Sequence, residues 1–164
     1  AVGGPAESAI KAGLQGVPMT ITLLGGPLPI FKRSIDAYRQ SLKMKSYNPS
    51  DFPVATTGFF YAADDTKTAL RELYPYVDQG MKLANGTGYH KRLFANGADM
   101  NDVMLVGSPQ QIIEKMIYQY EELGHQRYLA QIDFGGMPFE KVMKNIEIIG
   151  TKILPEVKKY TKGK

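Results

Sequence analysis

The sequence of 164 residues contains no cysteine. Disulfide bonds, thiolate metal sites and a cysteine nucleophile are therefore excluded. There are only two histidines, His90 and His125, which argues against a histidine-rich metal site. No apolar run approaches the ~20 residues that a membrane helix needs, and the first residues lack the basic-then-apolar pattern of a signal peptide. We expect a cytoplasmic protein with no metal and no membrane contact.

The sequence also lacks a basic stripe of the kind that binds nucleic acid. The net charge is +4, but the last seven residues carry four lysines and no acid, so the rest of the chain is formally neutral. A charge excess confined to a tail indicates a solvated segment rather than a nucleic-acid groove. With 43% hydrophobic and 22% charged residues, the chain is long enough to form one domain with a core.

The most informative stretch is R-Y-L-A-Q-I-D-F-G-G-M-P, residues 127–138. Residues 128–132 predict a short buried strand that ends at Asp133 and the glycines after it. Before it lies a predicted helix with Ser108 as cap and Gly124 at its end, and after it lies another, from Phe139 to about residue 149. Helix, strand, glycine and helix in this order indicate a parallel α/β protein.

Further elements are predicted on both sides of this stretch. In chain order they are a strand end at 1–2, a helix to about Leu14, a strand at 17–24, a helix at 29–43, a strand at 54–62 with a bulge at Gly58, a helix capped by Asp64 or Asp65 and bent or bounded by Pro75, an apolar run at 103–106 and a short helix at 151–160. Residues 84–102 lack a firm period, and we predict a mobile loop there that carries the basic cluster His90, Lys91 and Arg92.

Three strand-like segments end in similar glycine motifs: G-G-P at 3–5, G-G-P at 25–27 and G-G-M-P at 135–138. Glycine lets a backbone approach a ligand closely, and ligands of parallel α/β folds sit at the carboxyl ends of the strands. The three motifs therefore predict one binding face. Tight turns without a ligand are the alternative reading.

Three motifs resemble the bacterial luciferase-like monooxygenase family, which uses FMN or the deazaflavin F420 on a (β/α)8 barrel. They are G-G-P-A-E-S at 3–8, V-G-S-P-Q-Q-I-I-E-K at 106–115 and L-A-Q-I-D-F-G-G-M-P at 129–138. The resemblance implies that the chain is a partial TIM barrel of about strands 6 to 8 with flanking helices and an inserted segment. It takes residues 1–2, 17–24 and 128–132 as the sixth, seventh and eighth strands.

A complete barrel of this kind needs ~250 residues. We therefore expect residues 1–164 to be a single C-terminal fragment that lacks the first five strands and the family's catalytic histidine, and to be inactive alone. For the parent protein the resemblance implies a monooxygenase that uses reduced, loosely bound FMN and O2 on a small organic substrate, with a separate flavin reductase as partner. Alternatives are an F420-dependent oxidoreductase and a non-catalytic flavin-binding or assembly module.

The cofactor-binding residues implied by the resemblance lie at the first helix start: Gly3, Gly4, Glu7, Ser8 and Lys11. Backbone N–H groups and the helix dipole attract an anion there, and the Ser8 hydroxyl can add a hydrogen bond. An ordinary capped helix is the alternative. Asp133, at a strand exit, suits a structural role better than a catalytic one, and His125 is expected on the opposite, stabilising face.

An open half-barrel has consequences for association. If residues 1–2, 17–24 and 128–132 form its sheet, we expect Met19, Ile21, Leu23 and Leu129 to face a barrel interior that lacks its other half. Unpaired strand edges promote pairing with another chain. The sequence therefore predicts a homo-oligomer, or association with the missing N-terminal half, rather than a monomer.

Overall fold

The computed structural model describes residues 6–162. This part of the chain contains four strands and seven α-helices, with two 3-10 turns and one π-helical turn. Their bounds are α1 Ala6–Leu14, β1 Thr20–Leu23, α2 Leu28–Met44, a 3-10 turn Pro49–Asp51, β2 Ala55–Ala62, α3 Thr66–Asn85, α4 Lys91–Ala95, a 3-10 turn Asn96–Ala98, β3 Leu105–Gly107, α5 Pro109–Leu123, β4 Arg127–Gln131, α6 Phe139–Ile148, the π-helical turn Ile149–Ile153 and α7 Leu154–Thr161.

All four strands belong to one parallel sheet centred on β2. The first half of β2 pairs with both β1 and β4, in a register that aligns Thr57 with Thr22 on one side and with Leu129 on the other. Its last three residues pair with β3. The predicted strands at 17–24 and 128–132 therefore do not pair with each other, because β2 lies between them, while residues 1–2 lie outside the described part of the chain.

Gly58 forms no bulge, contrary to the sequence prediction. The β2 pairing continues through it to both neighbours, opposite Leu23 and Ala130. A Cβ atom at this position would lie 2.3 Å from the carbonyl oxygen of Leu23, closer than any real contact. Glycine is therefore needed here because the backbone of β1 approaches β2 closely.

One face of the sheet lies under the helices. Met19, Ile21 and Leu23 are almost fully buried in one cluster with side chains of α1 and α2. Their predicted place in the barrel interior is wrong. Successive residues of a strand point to opposite faces, and in β1 the alternate residues Thr20 and Thr22 take the other face.

We call the opposite face of the sheet the open face. It is polar over its lower half, which is the half at the amino-terminal ends of the strands. It consists of the alternate strand residues Thr20, Thr22, Ala55, Thr57, Leu129 and Gln131, all of which are partly or well exposed. The Thr57 hydroxyl donates to the Leu129 carbonyl over 2.9 Å, and the Gln131 amide lies 3.3 Å from the Thr57 hydroxyl. Leu129 is 46% exposed, as expected for an interior residue without its partners.

The upper part of this same face is covered by residues 64–102, which we call the insert. Phe59 and Tyr61 of β2 are buried against Leu73, Val77 and Phe94 of the insert. The predicted loop at 84–102 thus contains α4 and a 3-10 turn with a buried phenylalanine. Its predicted mobility stays a prediction.

The ends of the helices follow the local signals in the sequence. Ser108 accepts a hydrogen bond from the Gln111 N–H, and α5 ends at Gly124 in the left-handed conformation. Asp65, rather than Asp64, caps α3 by accepting from the Thr68 N–H. Pro75 lies inside α3 without ending it.

His125 lies in the turn between α5 and β4, where the parallel strands begin, as predicted. It is 7% exposed, and its Nδ1 atom has no hydrogen-bond partner. Burial lowers its pKa to about 4, assisted by the positive charge of Arg39 and opposed by a hydrogen bond to the Gln119 backbone. The ring is therefore neutral and structural at physiological pH.

This burial predicts a specific dependence of stability on pH. Between pH 6.5 and 4 the unfolded chain protonates His125 while the folded chain does not, so the free energy of unfolding falls as the pH falls, by up to about 3 kcal/mol. We expect the variant His125→Gln to lose this component in denaturant titrations between pH 7 and 4. The exposed His90→Gln should retain it, and equal pH slopes for His125→Gln and wild type would contradict the assignment.

Candidate functional site

The carboxyl ends of the parallel strands lie at one edge of the sheet, which we call the upper edge. Three loops leave it: residues 24–27 after β1, 63–65 after β2 and 132–138 after β4. The insert packs onto them, since the Tyr89 hydroxyl donates to the Leu24 carbonyl over 2.9 Å. The ring of Phe134, in the third loop, meets Phe59 at a centroid distance of 5.0 Å.

Two of the predicted glycine exits are explained in part by this packing. A Cβ atom on Gly135 would lie 1.8 Å from the Tyr76 carbonyl oxygen of α3, and one on Gly25 would lie 2.2 Å from the Tyr89 hydroxyl. Both glycines have positive φ. These positions therefore need glycine because the insert touches the loops, whether or not a ligand binds.

Their neighbours Gly26 and Gly136 are different. Both have positive φ, of 103° and 76°, but a Cβ atom on either would meet nothing within 4 Å. Space is therefore open beside the backbone at these two points of the upper edge, although the Gly26 N–H and carbonyl are already hydrogen-bonded to Asp102 and Val103. The first predicted exit, at residues 3–5, lies outside the described residues.

Asp102 holds the first loop in place. One carboxylate oxygen accepts from the Gly26 N–H over 2.8 Å and the other from the Met104 N–H over 2.9 Å. Beneath it, the fully buried Lys115 donates to the carbonyls of Gly97 and Asp99. Asp102 and Lys115 were not identified from the sequence. Lys115 gave no signal because it lies among the apolar residues of α5.

Burial also changes the chemistry of Lys115. Desolvation lowers its pKa to about 8, and the charges of Asp102 and Asp99 partly oppose this effect. A lysine in this position ties α5 to the end of the insert. It does not reach the open face, so we regard it as a structural residue.

The predicted phosphate site lies at the start of α1. Glu7, Ser8 and Lys11 are exposed within the first two turns, while Gly3 and Gly4 lie outside the described residues. The helix contacts α2 with its other side, where Ala9 and Gly13 are buried.

The start of α1 lies near the upper edge for a geometric reason. The helix ends in a short turn before β1, so helix and strand run in opposite directions while sharing one core cluster. Nine helical residues span about 13 Å and four strand residues about the same length. The first turn of α1 is therefore level with the end of β1.

The remaining sequence candidates are exposed. Asp133 lies in the loop after β4, and His90 precedes α4 without capping it through its side chain. Lys91 lies 5.9 Å from the centre of the Tyr74 ring. Within residues 6–162, no hydrogen bond or ion pair joins Asp133, His90 or Lys91 to the start of α1.

Sequence reasoning also missed a charged cluster beside the upper edge. The Tyr61 hydroxyl and the Lys141 ammonium both donate to the same Glu72 carboxylate oxygen, over 2.7 Å and 2.6 Å. The hydrogen bond from Lys141 lowers the pKa of Glu72 and in turn raises that of Lys141, while burial raises the pKa of Tyr61. The cluster links β2, the insert and α6.

Other kinds of site are not found among residues 6–162. They contain no group of three or more acidic, histidine or cysteine side chains positioned for a metal ion. None of their helices is both long and apolar enough to span a bilayer.

A sequence profile of the family described as luciferase-like monooxygenase matches residues 1–127. This match covers most of the chain. A comparison with curated proteins gave no match.

Several solved structures share the fold. A monooxygenase from Streptomyces bottropensis is 19% identical with a TM-score of 0.70, over 93% of this chain and 45% of that one. The oxygenating constituent of 3,6-diketocamphane monooxygenase from Pseudomonas putida, solved with FMN, is 18% identical with a TM-score of 0.62, over 92% of this chain and 45% of that one. An F420-dependent secondary alcohol dehydrogenase with an F420-acetone adduct is 16% identical with a TM-score of 0.66, over 95% of this chain and 47% of that one. The chain thus spans about half the length of these structures, which bears out the partial-barrel fold.

We predict that the charged cluster stabilises the fold. The variant Glu72→Gln should lower the free energy of unfolding at pH 7 by about 0.5–1 kcal/mol, the value of a half-exposed ion pair. Because the pKa of Glu72 is lowered in the folded state, this contribution is present above the carboxyl group's ordinary pKa and is lost as the pH falls. Chemical denaturation at pH 7 and at pH 3 measures the loss of stability and its disappearance at low pH. Glu114→Gln, exposed on α5, is the control, and an equal loss from Glu72→Gln at both pH values would refute the ion-pair explanation.

Proposed function

Because the chain belongs to the luciferase-like monooxygenase family, we propose that it forms the phosphate-binding half of a flavin-dependent monooxygenase barrel. The whole enzyme would use reduced FMN and O2 to oxygenate a small organic substrate. The proposal is supported by the lengths of α1 and β1, which imply that the first turn of α1 lies level with the upper edge, and by the open space beside Gly26 and Gly136. A ligand along this edge can contact both features.

The residues at the start of α1 suit a phosphate group. Ser8 is exposed and can donate its hydroxyl proton to a phosphate oxygen, together with backbone N–H groups of the first turn. Lys11 is one turn further and adds a positive charge. Glu7 opposes an anion by its charge, so its proposed contribution is its backbone N–H. Gly3 and Gly4, which lie outside the described residues, complete the proposed set of cofactor-binding residues.

Bound FMN would supply the redox chemistry with O2, and the protein binding, orientation and exclusion of water. The aromatic rings of Phe59, Tyr89 and Phe134 close the upper part of the barrel interior against water. Below them, Thr57 and Gln131 offer hydrogen-bonding groups on the open face, where barrels usually have bulky apolar side chains. A polar ligand or ordered water suits this surface.

The proposal favours FMN because the residues 129–138 resemble FMN-dependent members of the family. F420-dependent hydride transfer is the second candidate, supported by the F420-dependent dehydrogenase among the similar folds. A cytoplasmic enzyme with loosely bound reduced FMN needs a flavin reductase as its partner. No residue of this chain is proposed as the catalytic base or acid.

We also propose that the barrel is completed by another polypeptide segment, either an N-terminal half or a second copy of the chain. Within residues 6–162, β1 and β4 each pair along one edge only. Apolar residues are exposed beside both edges. On α6 they are Phe139, Met143 and Ile146, at 73%, 46% and 45% exposure; on α1 they are Ile10 and Leu14, and Val17 follows in the turn after α1.

The flavin assignment is tested at Ser8. In the complete protein, Ser8→Ala should weaken FMN binding by about 1–3 kcal/mol, the value of a hydrogen bond to a charged group. Fluorescence titration with FMN and with riboflavin, which lacks the phosphate, measures it. Ser8→Ala should leave riboflavin binding unchanged, and Ser50→Ala, exposed at the opposite edge, should affect neither ligand. Equal FMN affinity of Ser8→Ala and wild type would exclude this phosphate site.

The association is tested on α6. Sedimentation of the 164-residue chain should show a dimer, or a complex once the N-terminal half is co-expressed. The double variant Phe139→Ser, Met143→Ser should weaken that association at least about tenfold, because both side chains lose apolar contacts. Leu83→Ser, 84% exposed on α3, is the control. A monomer in both preparations, with a cooperative melt, would rule out the half-barrel assembly.

A further inference from the structure

A groove between α3 and α4 lies on the insert, away from the phosphate site. Its volume is about 280 Å³, close to the lower end of the ~300–1,000 Å³ typical of small-molecule sites. Seven residues line it: Leu70, Arg71, Tyr74, Pro75, Lys91, Phe94 and Ala95.

The floor and one wall of this groove are apolar and held in position. The buried Phe94 ring meets the Tyr74 ring at 5.4 Å and the Tyr89 ring at 5.7 Å. The Tyr74 hydroxyl donates to the Tyr89 carbonyl over 3.1 Å, which fixes that ring at the wall. A flat apolar group can therefore bind against a preformed aromatic surface.

Two cations stand at the rim. Arg71 and Lys91 are both exposed, and neither forms an ion pair with a carboxylate within residues 6–162. The charge of Arg71 acts on the carboxylates of Asp65 and Glu72, but both already have hydrogen-bond partners: Asp65 caps α3, and Glu72 accepts from Tyr61 and Lys141. No acidic residue lines the groove.

We propose that this groove binds a small amphipathic anion, consisting of one aromatic or branched apolar body with a carboxylate. The body lies against Tyr74 and Phe94, and the carboxylate faces Lys91 and Arg71. Lys91 already lies over the Tyr74 ring at 5.9 Å, so a ring that stacks there brings its acid group within reach of the ammonium. This gives a role to Lys91, the member of the basic cluster at 90–92 that lines the groove, and it does not depend on the proposed function.

Phenylacetate is a suitable probe, and phenylacetamide is its neutral counterpart of the same shape. Titration of the full chain, followed by NMR shifts, should give saturable binding of phenylacetate with a Kd on the order of 1 mM, as expected for so few atoms. The amide should bind at least about fivefold more weakly. Added salt should weaken only the acid, because the rim charges are exposed.

Two variants separate the groove from general surface charge. Lys91→Gln should reduce phenylacetate binding to the level of the amide, whereas Arg92→Gln, the neighbouring cation that does not line the groove, should leave it unchanged. Since both side chains are exposed, both variants should fold normally, which circular dichroism checks. The proposal is overturned if acid and amide bind equally, if neither binding saturates, or if the two variants behave alike.

Discussion

The parallel ladder through β2 is the constraint on which the rest of the structure depends. Each of the other three strands pairs with it, two along its first half and β3 along its last three residues. Because this one strand sets the register of all its neighbours, it also sets which side chains face the helices. This pairing requires glycine at position 58, because the backbone of β1 lies too close there for any side chain.

The same strand carries two different environments on one face. Ala55 and Thr57 belong to the polar open face, whereas Phe59 and Tyr61, two and four residues further, are buried under the insert. The insert is held on by aromatic packing, by the close glycine contact at Gly135 and by the charged cluster around Glu72. The loops at the upper edge are therefore tied to the insert by specific contacts, and space is open only beside Gly26 and Gly136 among their glycines.

The relation of this chain to its family follows from these features. A half-barrel buries its helix-facing side completely, since that side needs only its own helices. Its inner side is only partly covered, by the insert, and within residues 6–162 β1 and β4 each pair along one edge only. Exposed apolar residues occur on α1 and α6, beside the unpaired edges, as well as elsewhere, such as Leu83 of α3, while the open face is polar apart from Ala55 and Leu129.

The sequence by itself determined the class of the fold and the ends of some elements, but it missed α4, which lies in the predicted loop. The cap Ser108 and the end at Gly124 depend on hydrogen bonds within a few residues, so they can be read locally, whereas the sequence left the cap of α3 open between Asp64 and Asp65. Only the tertiary structure decided which face of β1 is covered, because an alternating strand serves either face until its neighbours are known. It also decided the meeting of Tyr61, Glu72 and Lys141, since Lys141 is 69 residues from Glu72 and contacts between such distant residues leave no local pattern.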